Sequence, residues 1–435
     1  MEEEAETDRI SFLPREIIIP ILSRIELQDA IRTSALARSW RRLWTLLPSL
    51  RLGVSQDLFG DDNSDFPVPS TWIERVHRLV SFLRGPLLVF SLVHNFESYQ
   101  SALIQNILDL LLQKGLLQEL LLCCFCDPDN RVVLHLPSFQ SVKTLELWGC
   151  HIILPSGFHG FNCLNSLILH GVEISNDDLH FLIHASNNLT TLKLSLGDSK
   201  HPLSLNISLP LLRYLEFYIF ESFEKVSVIS APSLEKACIC ITSRNFAAYT
   251  SQKLARVTLG LLTSVAMVSS LHLGPDVFKS QSLVALPFNF TFIGLRCIKC
   301  SLDINAMDKR MHDVFIWLIR SAPFLEELDL WVTITRQTNR DALLIKELLL
   351  KEQDGISCLN QTLTSITIDT NIFNDPINLV PFITLVKFFL LNAKVLKLLK
   401  ILHLNPFEPS MIVELQEAKM TSSHAKLVFF NRNAK

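Results

Sequence analysis

LNSLIL at residues 164–169 and LTTLKL at residues 189–194 are one phrase written twice, leucine-x-x-leucine-x-leucine. VKTLEL (142–147) and LRYLEF (212–217) flank them, and LEKACI (234–239) and LARVTL (254–259) continue the series. The fourth positions of these copies are Leu145, Leu167, Leu192, Leu215, Ala237 and Val257, spaced by 22, 25, 23, 22 and 20 residues. A unit this short cannot bury an apolar face alone, so neighbouring units must stack. Within each copy the two close apolar residues share one side of an extended strand. Stacking therefore predicts a parallel sheet backed by a continuous leucine core.

The period and the phrase are those of a leucine-rich repeat. Further copies stand at LRCIKC (295–300), LEELDL (325–330), LTSITI (363–368) and LKLLKI (396–401), at longer steps that imply insertions. VSSLHL (268–273) follows LARVTL too closely for a full repeat, and its role stays open. The expected fold is α/β, a solenoid whose curved parallel sheet carries helices and loops on its convex side. Cys150, in LELWGCHI, falls where such repeats cap the turn after the strand. Residues between the leucines project from the concave face: Glu146, Trp148, His170, Lys193, Tyr218, Asp329 and Trp331. Exposed aromatic residues there are binding anchors, whereas aromatics packed against neighbouring repeats are structural. Both readings remain open at this point.

With 435 residues, 49% of them hydrophobic and 19% charged, the chain is long enough for more than one compact unit. A net charge of −3 exerts no general pull on nucleic acid or acidic membranes. MEEEAETD (1–8) is an acidic tail without the basic-then-apolar order of an export signal, which points to the cytoplasm, the nucleus or both. Residues 257–275 lack charge, but their glycines, hydroxyl residues, histidine and proline make a poor membrane span. Ten cysteines include the cluster Cys123, Cys124 and Cys126 and a single CxxC, Cys297 and Cys300. Neither has the partners of a structural zinc site, so the expectation is reduced, mostly buried thiols and no metal or cofactor.

The N-terminal stretch RISFLPREIIIPILSRIELQDAIRTSALARSWRRLWTLLPSL (9–50) has a different grammar. Pro14 suits a first helical turn, and Ile17, Ile18, Ile21, Leu22 and Ile25 follow at helical spacing. A second helix is expected from Asp29 and a third over 36–47. On a wheel of about 100° per residue, Trp40, Leu43, Trp44 and Leu47 join Leu36 on one stripe. Arg38, Arg41 and Arg42 fall opposite. Nucleic-acid surfaces need arginines and aromatics on one face, so this is a packing helix with a basic back. Three short helices make a small core, and their surplus apolar face calls for a permanent partner.

At LP (13–14), ILSRI (21–25), LQDAIRTSALARSW (27–40) and RLW (42–44) the segment resembles a plant F-box. WIERVHRLVSFLRGPLLVFSL (72–92), LPSFQSVKTLELWGC (136–150), GFNCLNSLILHGVEISNDDLHFLI (160–183) and SAPFLEELDL (321–330) are similar to the plant F-box/leucine-rich-repeat family. FLLNAKVLKLLKI (389–401) and SSHAKLVFF (422–430) resemble its FBD-type tail. The implied organisation is an acidic tail (1–8), a three-helix F-box (9–50), a linker (51–71), the solenoid (72–375) and an FBD-like region (376–435). The resemblance implies a substrate-recognition subunit of an SCF-type (Skp–cullin–F-box) ubiquitin ligase. Leu13, Pro14, Ile21, Leu22, Ile31, Leu36 and Trp40 would contact the Skp-type adaptor, and the repeats would bind an unknown target protein. Pro20 and Glu26 depart from the family pattern. They leave a second reading, a repeat scaffold with a non-docking F-box.

No sequence signature of catalysis accompanies these modules: GxSxG, a phosphate loop ending in GK[ST] and HExxH are all missing. GFHG (157–160) reads as turn chemistry, and GDDNSDFPVPS (60–70) as a linker rather than a calcium loop. The expected protein is an adaptor or receptor subunit with no active site, no nucleic-acid partner and no membrane anchor.

Overall fold

The computed structural model describes residues 13–53, 70–124, 128–197, 202–220, 222–241, 252–279, 290–304, 309–334, 356–372, 379–403 and 409–432. The chain divides into two compact units, Met1–His201 and Pro202–Lys435.

Unit 1 opens with two short helices, Arg15–Leu22 and Leu27–Arg32, followed by 3₁₀ turns at Thr33–Ala35, Arg38–Trp40 and Leu43–Leu46. The continuous third helix expected over 36–47 is thus replaced by separate turns. Ala37 breaks it, with extended backbone at φ −152°, ψ 157°. Hydroxyl side chains favour the breaks by bonding nearby carbonyls in place of the helical ladder: Thr33 Oγ1 donates to Ala30 O (2.6 Å) and Thr45 Oγ1 to Arg42 O (2.7 Å). Ile18, Leu22, Ala30, Trp40, Leu43 and Leu47 close a core, with Leu13, Leu27, Ala37, Trp44 and Leu46 packed against it. Arg38, Arg41 and Arg42 are exposed, as the wheel requires. Leu36 is 71% exposed, because the break at Ala37 turns it off the stripe.

The strands of unit 1 are β1 (Ser49–Gly53), β2 (Val89–His94), β3 (Glu119–Cys124), β4 (Val133–His135), β5 (Thr144–Trp148), β6 (His151–Ile153), β7 (Ser166–Ile174) and β8 (Thr191–Leu196). β1, β2, β3, β5, β7 and β8 pair in that order, all parallel. Their register aligns two core rows, Leu50–Phe90–Leu120–Leu145–Leu167–Leu192 and Leu52–Leu92–Leu122–Leu147–Leu169–Leu194. Every member of both rows is buried. Parallel neighbours need crossovers, and the helices Ser70–Phe82, Ser101–Lys114 and Asn176–His184 occupy three of them. Gly115, at φ +72°, ends the second, and the Ser175 side chain accepts the Asp178 N–H (3.1 Å) to start the third. Elsewhere the return segment is extended, and β4, β6 and the end of β7 form a small second sheet.

Unit 2 repeats the scheme with β9 (Leu203–Ser208), β10 (Tyr214–Ile219), β11 (Phe223–Ser230), β12 (Lys236–Ile241), β13 (Ser270–Leu273), β14 (Cys297–Asp303), β15 (Glu327–Ile334), β16 (Ser365–Ile372), β17 (Leu398–His403) and β18 (Lys426–Asn431). β10 and β12 to β18 form one parallel ladder, while β9 pairs with β11. One core row reads Leu215–Ala237–Leu271–Ile298–Leu328–Ile366–Leu399–Leu427.

One expectation is corrected here. LARVTL (254–259) is not a strand: it lies in the helix Gln252–Ser264, whose buried Leu254, Val257, Thr258, Leu261 and Leu262 follow helical spacing. The strand of that repeat is β13, inside VSSLHL. A six-residue phrase with apolar positions three and five apart fits either period, and only the longer pattern separates them. The parallel pairing starts at β1 (Ser49–Gly53) in unit 1 and runs through β17 and β18 in unit 2. The 257–275 stretch splits between the helix and β13, and no helix among the described residues is long and apolar enough to cross a membrane. GFHG is a turn, with Gly160 at φ +83°. Most of the 60–70 linker lies outside the described residues, as do the acidic tail and Cys126.

Candidate protein-interaction surfaces

The F-box segment sorts its apolar residues into two sets. Leu22 and Trp40, expected at the adaptor, are core members at 1% and 5% exposure. Leu13 and Ile31 are half-buried, and Pro14, Ile21 and Leu36 are exposed. Ile17 and Ile25, absent from the expected contact set, are exposed as well. Their signal was in the sequence: Ile17 and Ile21 are four apart, a face separate from Ile18 and Leu22, and Ile25 follows at the same spacing in the turn after the helix. Such a helix is apolar on two sides, and its own core covers one. Pro20 lies inside the first helix, exposed, and the helix runs on to Leu22 with the Ser23 N–H bonded to Ile19 O at 2.9 Å. Glu26 sits at the N-terminus of the second helix without a side-chain cap. A cleft of about 250 Å³ lies at this turn, lined in part by Arg24, Glu26, Leu27 and Arg51.

The strand residues between the core rows form the second surface, described separately in each unit. In unit 1, Glu146, Trp148, His170 and Lys193 are all half-buried. Register places Trp148 beside His170, and their rings lie 4.2 Å apart. Trp148 Nε1 donates to Glu146 Oε1 (2.8 Å), so this tryptophan packs against its neighbours. In unit 2, Trp331 is 53% exposed. Asp329 accepts from Lys299 Nζ at 2.7 Å on the next strand. Tyr218 and Tyr214 hydroxyls donate to Glu216 at 3.1 and 2.9 Å. Burial and the Glu216 carboxylate push both phenols upward and hold them protonated. At the far strands, Lys400 Nζ stands 5.1 Å from the Phe430 ring centre, and Arg432 pairs with Asp369.

The cysteines divide by strand parity. Cys297 and Cys300 are three apart on β14, so they lie on opposite faces and cannot share a ligand. Cys300 takes a core-row position and Cys297 the other face. Burial raises the Cys300 thiol and pushes Cys358 up to about 12. Cys123, Cys124 and Cys150 are buried and Cys163 is exposed. Among the described residues no group of three or more His, Cys, Asp or Glu is placed to hold a metal ion.

Residues 10–52 match the F-box domain model. Residues 104–330 match the model described as FBD-associated F-box protein At5g56370, LRR repeats. The chain is 31% identical over 227 residues to the F-box/FBD/LRR-repeat protein At1g13570 of Arabidopsis thaliana, covering 52% of each. It is 32% identical over 188 residues to the F-box/FBD/LRR-repeat protein At2g04230 of that plant, covering 42% of this chain and 40% of the relative. A putative F-box/FBD/LRR-repeat protein, At5g56810, is 26% identical over 351 residues and 76% of each chain. The chain thus spans about half the length of the first two relatives. The helical core at the N-terminus, the parallel leucine ladders behind it and the two matched models lead to one statement: the chain belongs to the plant FBD-associated F-box proteins with leucine-rich repeats.

Proposed function

We propose that this protein is the substrate receptor of an SCF-type ubiquitin ligase, docking a Skp-type adaptor through its F-box and a target protein through the faces of its ladders. The observation that carries the reading is the F-box itself. Its core is complete with Ile18, Leu22, Ala30, Trp40, Leu43 and Leu47, yet Ile17, Ile21, Ile25 and Leu36 remain more than 40% exposed. Four large aliphatic side chains left in water on so small a module suit a standing partner. The receptor itself performs no bond chemistry. It raises the target's effective concentration beside the conjugating enzyme.

The test is co-expression of the full chain with a plant Skp-type adaptor and size-exclusion chromatography. Co-elution is expected for the wild type and its loss for Ile21→Asp and Leu36→Asp, both surface changes that leave the core intact. Failure of the wild type to co-elute, with recovery in Pro20→Glu, would replace this reading with the scaffold whose F-box does not dock. Failure of both would sink adaptor docking altogether.

A further inference from the structure

On the face of unit 2 away from the core rows, Glu216 of β10, Cys238 of β12 and His272 of β13 lie side by side in register, with Tyr218 beside Cys240. Cys238 and Cys240 are two apart on one strand, so both thiols point the same way. Their sulfurs are 3.9 Å apart, and Cys238 Sγ is 3.4 Å from His272 Nδ1. Cys238 is buried and Cys240 half-buried. This is a pair of thiols with a base on one and access to the other.

The two sulfurs are not equivalent. A hydrogen bond from Cys238 lowers the Cys240 thiol, aided by the Gly274 backbone and opposed by burial and Glu216. The net effect lowers the Cys240 thiol below its ordinary value, which raises its thiolate fraction. The backbone can also follow the chemistry. Residues two apart on a strand have Cα atoms roughly 6.6 Å apart, inside the limit of about 6.8 Å for a disulfide, but their parallel Cβ atoms must close to about 4.5 Å, so the strand has to bend between them. The β12–β13 ladder ends at Ile239–Leu273, one residue before Cys240, while β12 stays paired with β10 through Ile241, so the bend is taken on the β13 side.

We propose that Cys240 and Cys238 form an oxidation site for hydrogen peroxide that closes to a disulfide within β12. The Cys240 thiolate attacks one peroxide oxygen, the O–O bond breaks, and Cys240 becomes a sulfenic acid as hydroxide leaves and is protonated to water. His272, as its Nε2–H tautomer, takes the Cys238 proton at Nδ1. The Cys238 sulfur then attacks the Cys240 sulfur, the S–S bond forms and the S–O bond breaks. The departing hydroxide takes the proton back from His272. Two thiols lose two electrons, and one peroxide becomes two waters. Cys240 is the attacking thiol, Cys238 the resolving thiol and His272 the base.

Trypsin isolates the site, because Ala237–Arg244 carries these two cysteines and no other. The full chain is treated with stoichiometric peroxide, blocked with iodoacetamide, digested and weighed. The expected peptide is unalkylated, about 2 Da lighter than the free dithiol, and restored by dithiothreitol. In Cys238→Ser, dimedone should mark Cys240 at least about tenfold faster than the exposed Cys163. His272→Asn should leave that first step unchanged, slow ring closure and abolish its dependence on pH below the ordinary histidine range, where burial places this imidazole. A dithiol that is still fully alkylated at peroxide doses that oxidise Cys163 would overturn the proposal. So would equal dimedone rates at the two positions, or a closure rate indifferent to His272.

Discussion

Trp40 is 5% exposed and surrounded by Ile18, Leu22, Ala30, Leu43 and Leu47, so truncating it leaves a void that five short elements cannot fill. Trp40→Ala should destabilise the F-box by about 3–5 kcal/mol, read as an early denaturation phase of the full chain. Leu36→Asp, by contrast, changes a side chain that is 71% in water, and its effect should appear in docking rather than in stability. Gly160 is a sharper case of the same rule. Its φ of +83° is a left-handed conformation, and a Cβ there would lie 2.6 Å from Ala185 Cβ and 2.7 Å from Ala185 O. Gly160→Ala should cost more than about 1 kcal/mol by urea denaturation, although it replaces the smallest residue by the next. Residue type alone announced the glycine turn in GFHG. It did not announce which apolar F-box residues face inward, because Ile17 and Ile18, or Ile21 and Leu22, are indistinguishable until a core selects one of each pair.

At the level of elements, the ladders were legible wherever a copy of the phrase stood in an extended segment. VKTLEL, LNSLIL, LTTLKL, LRYLEF, LEKACI, LRCIKC, LEELDL, LTSITI and LKLLKI all contain residues of paired strands. LARVTL failed because the flanking residues extend a helical stripe from Leu254 to Leu262. The role of VSSLHL stayed open because its spacing was measured from that false copy. Leu271, fully buried between Ala237 and Ile298, carries the repeat. Leu271→Ala should therefore cost about 2–5 kcal/mol, whereas Arg256→Ala on the exposed side of the helix should stay within about 0.5 kcal/mol. Chemical denaturation of the two variants checks both values. The third F-box helix was misread for a related reason. Periodicity gives which residues share a side, and it is silent on whether the turns joining them are α or 3₁₀.

On the scale of the whole molecule, the proposed adaptor surface belongs to unit 1, and Trp331, the most exposed aromatic of the ladder faces among the described residues, to unit 2. If each surface serves its own partner, Trp331→Ala should weaken capture of a target identified with the wild type by about tenfold or more. It should leave adaptor co-elution unchanged, and Ile21→Asp should do the reverse. Pull-down of both partners from one preparation separates the two effects. By itself the sequence determined the repeating strand, the F-box segment, the core-row leucines from Leu145 onward except Leu271, and the family they indicate. Those depend on period and residue type, which are properties of the chain. Tertiary structure alone decided which strand continues the ladder after β12, which F-box isoleucines stay in water, that Trp148 packs while Trp331 does not, and that Cys238, Cys240 and His272 meet. These depend on register between strands that are 34 residues apart in the chain at Cys238 and His272, and no local pattern encodes a register that only stacking selects.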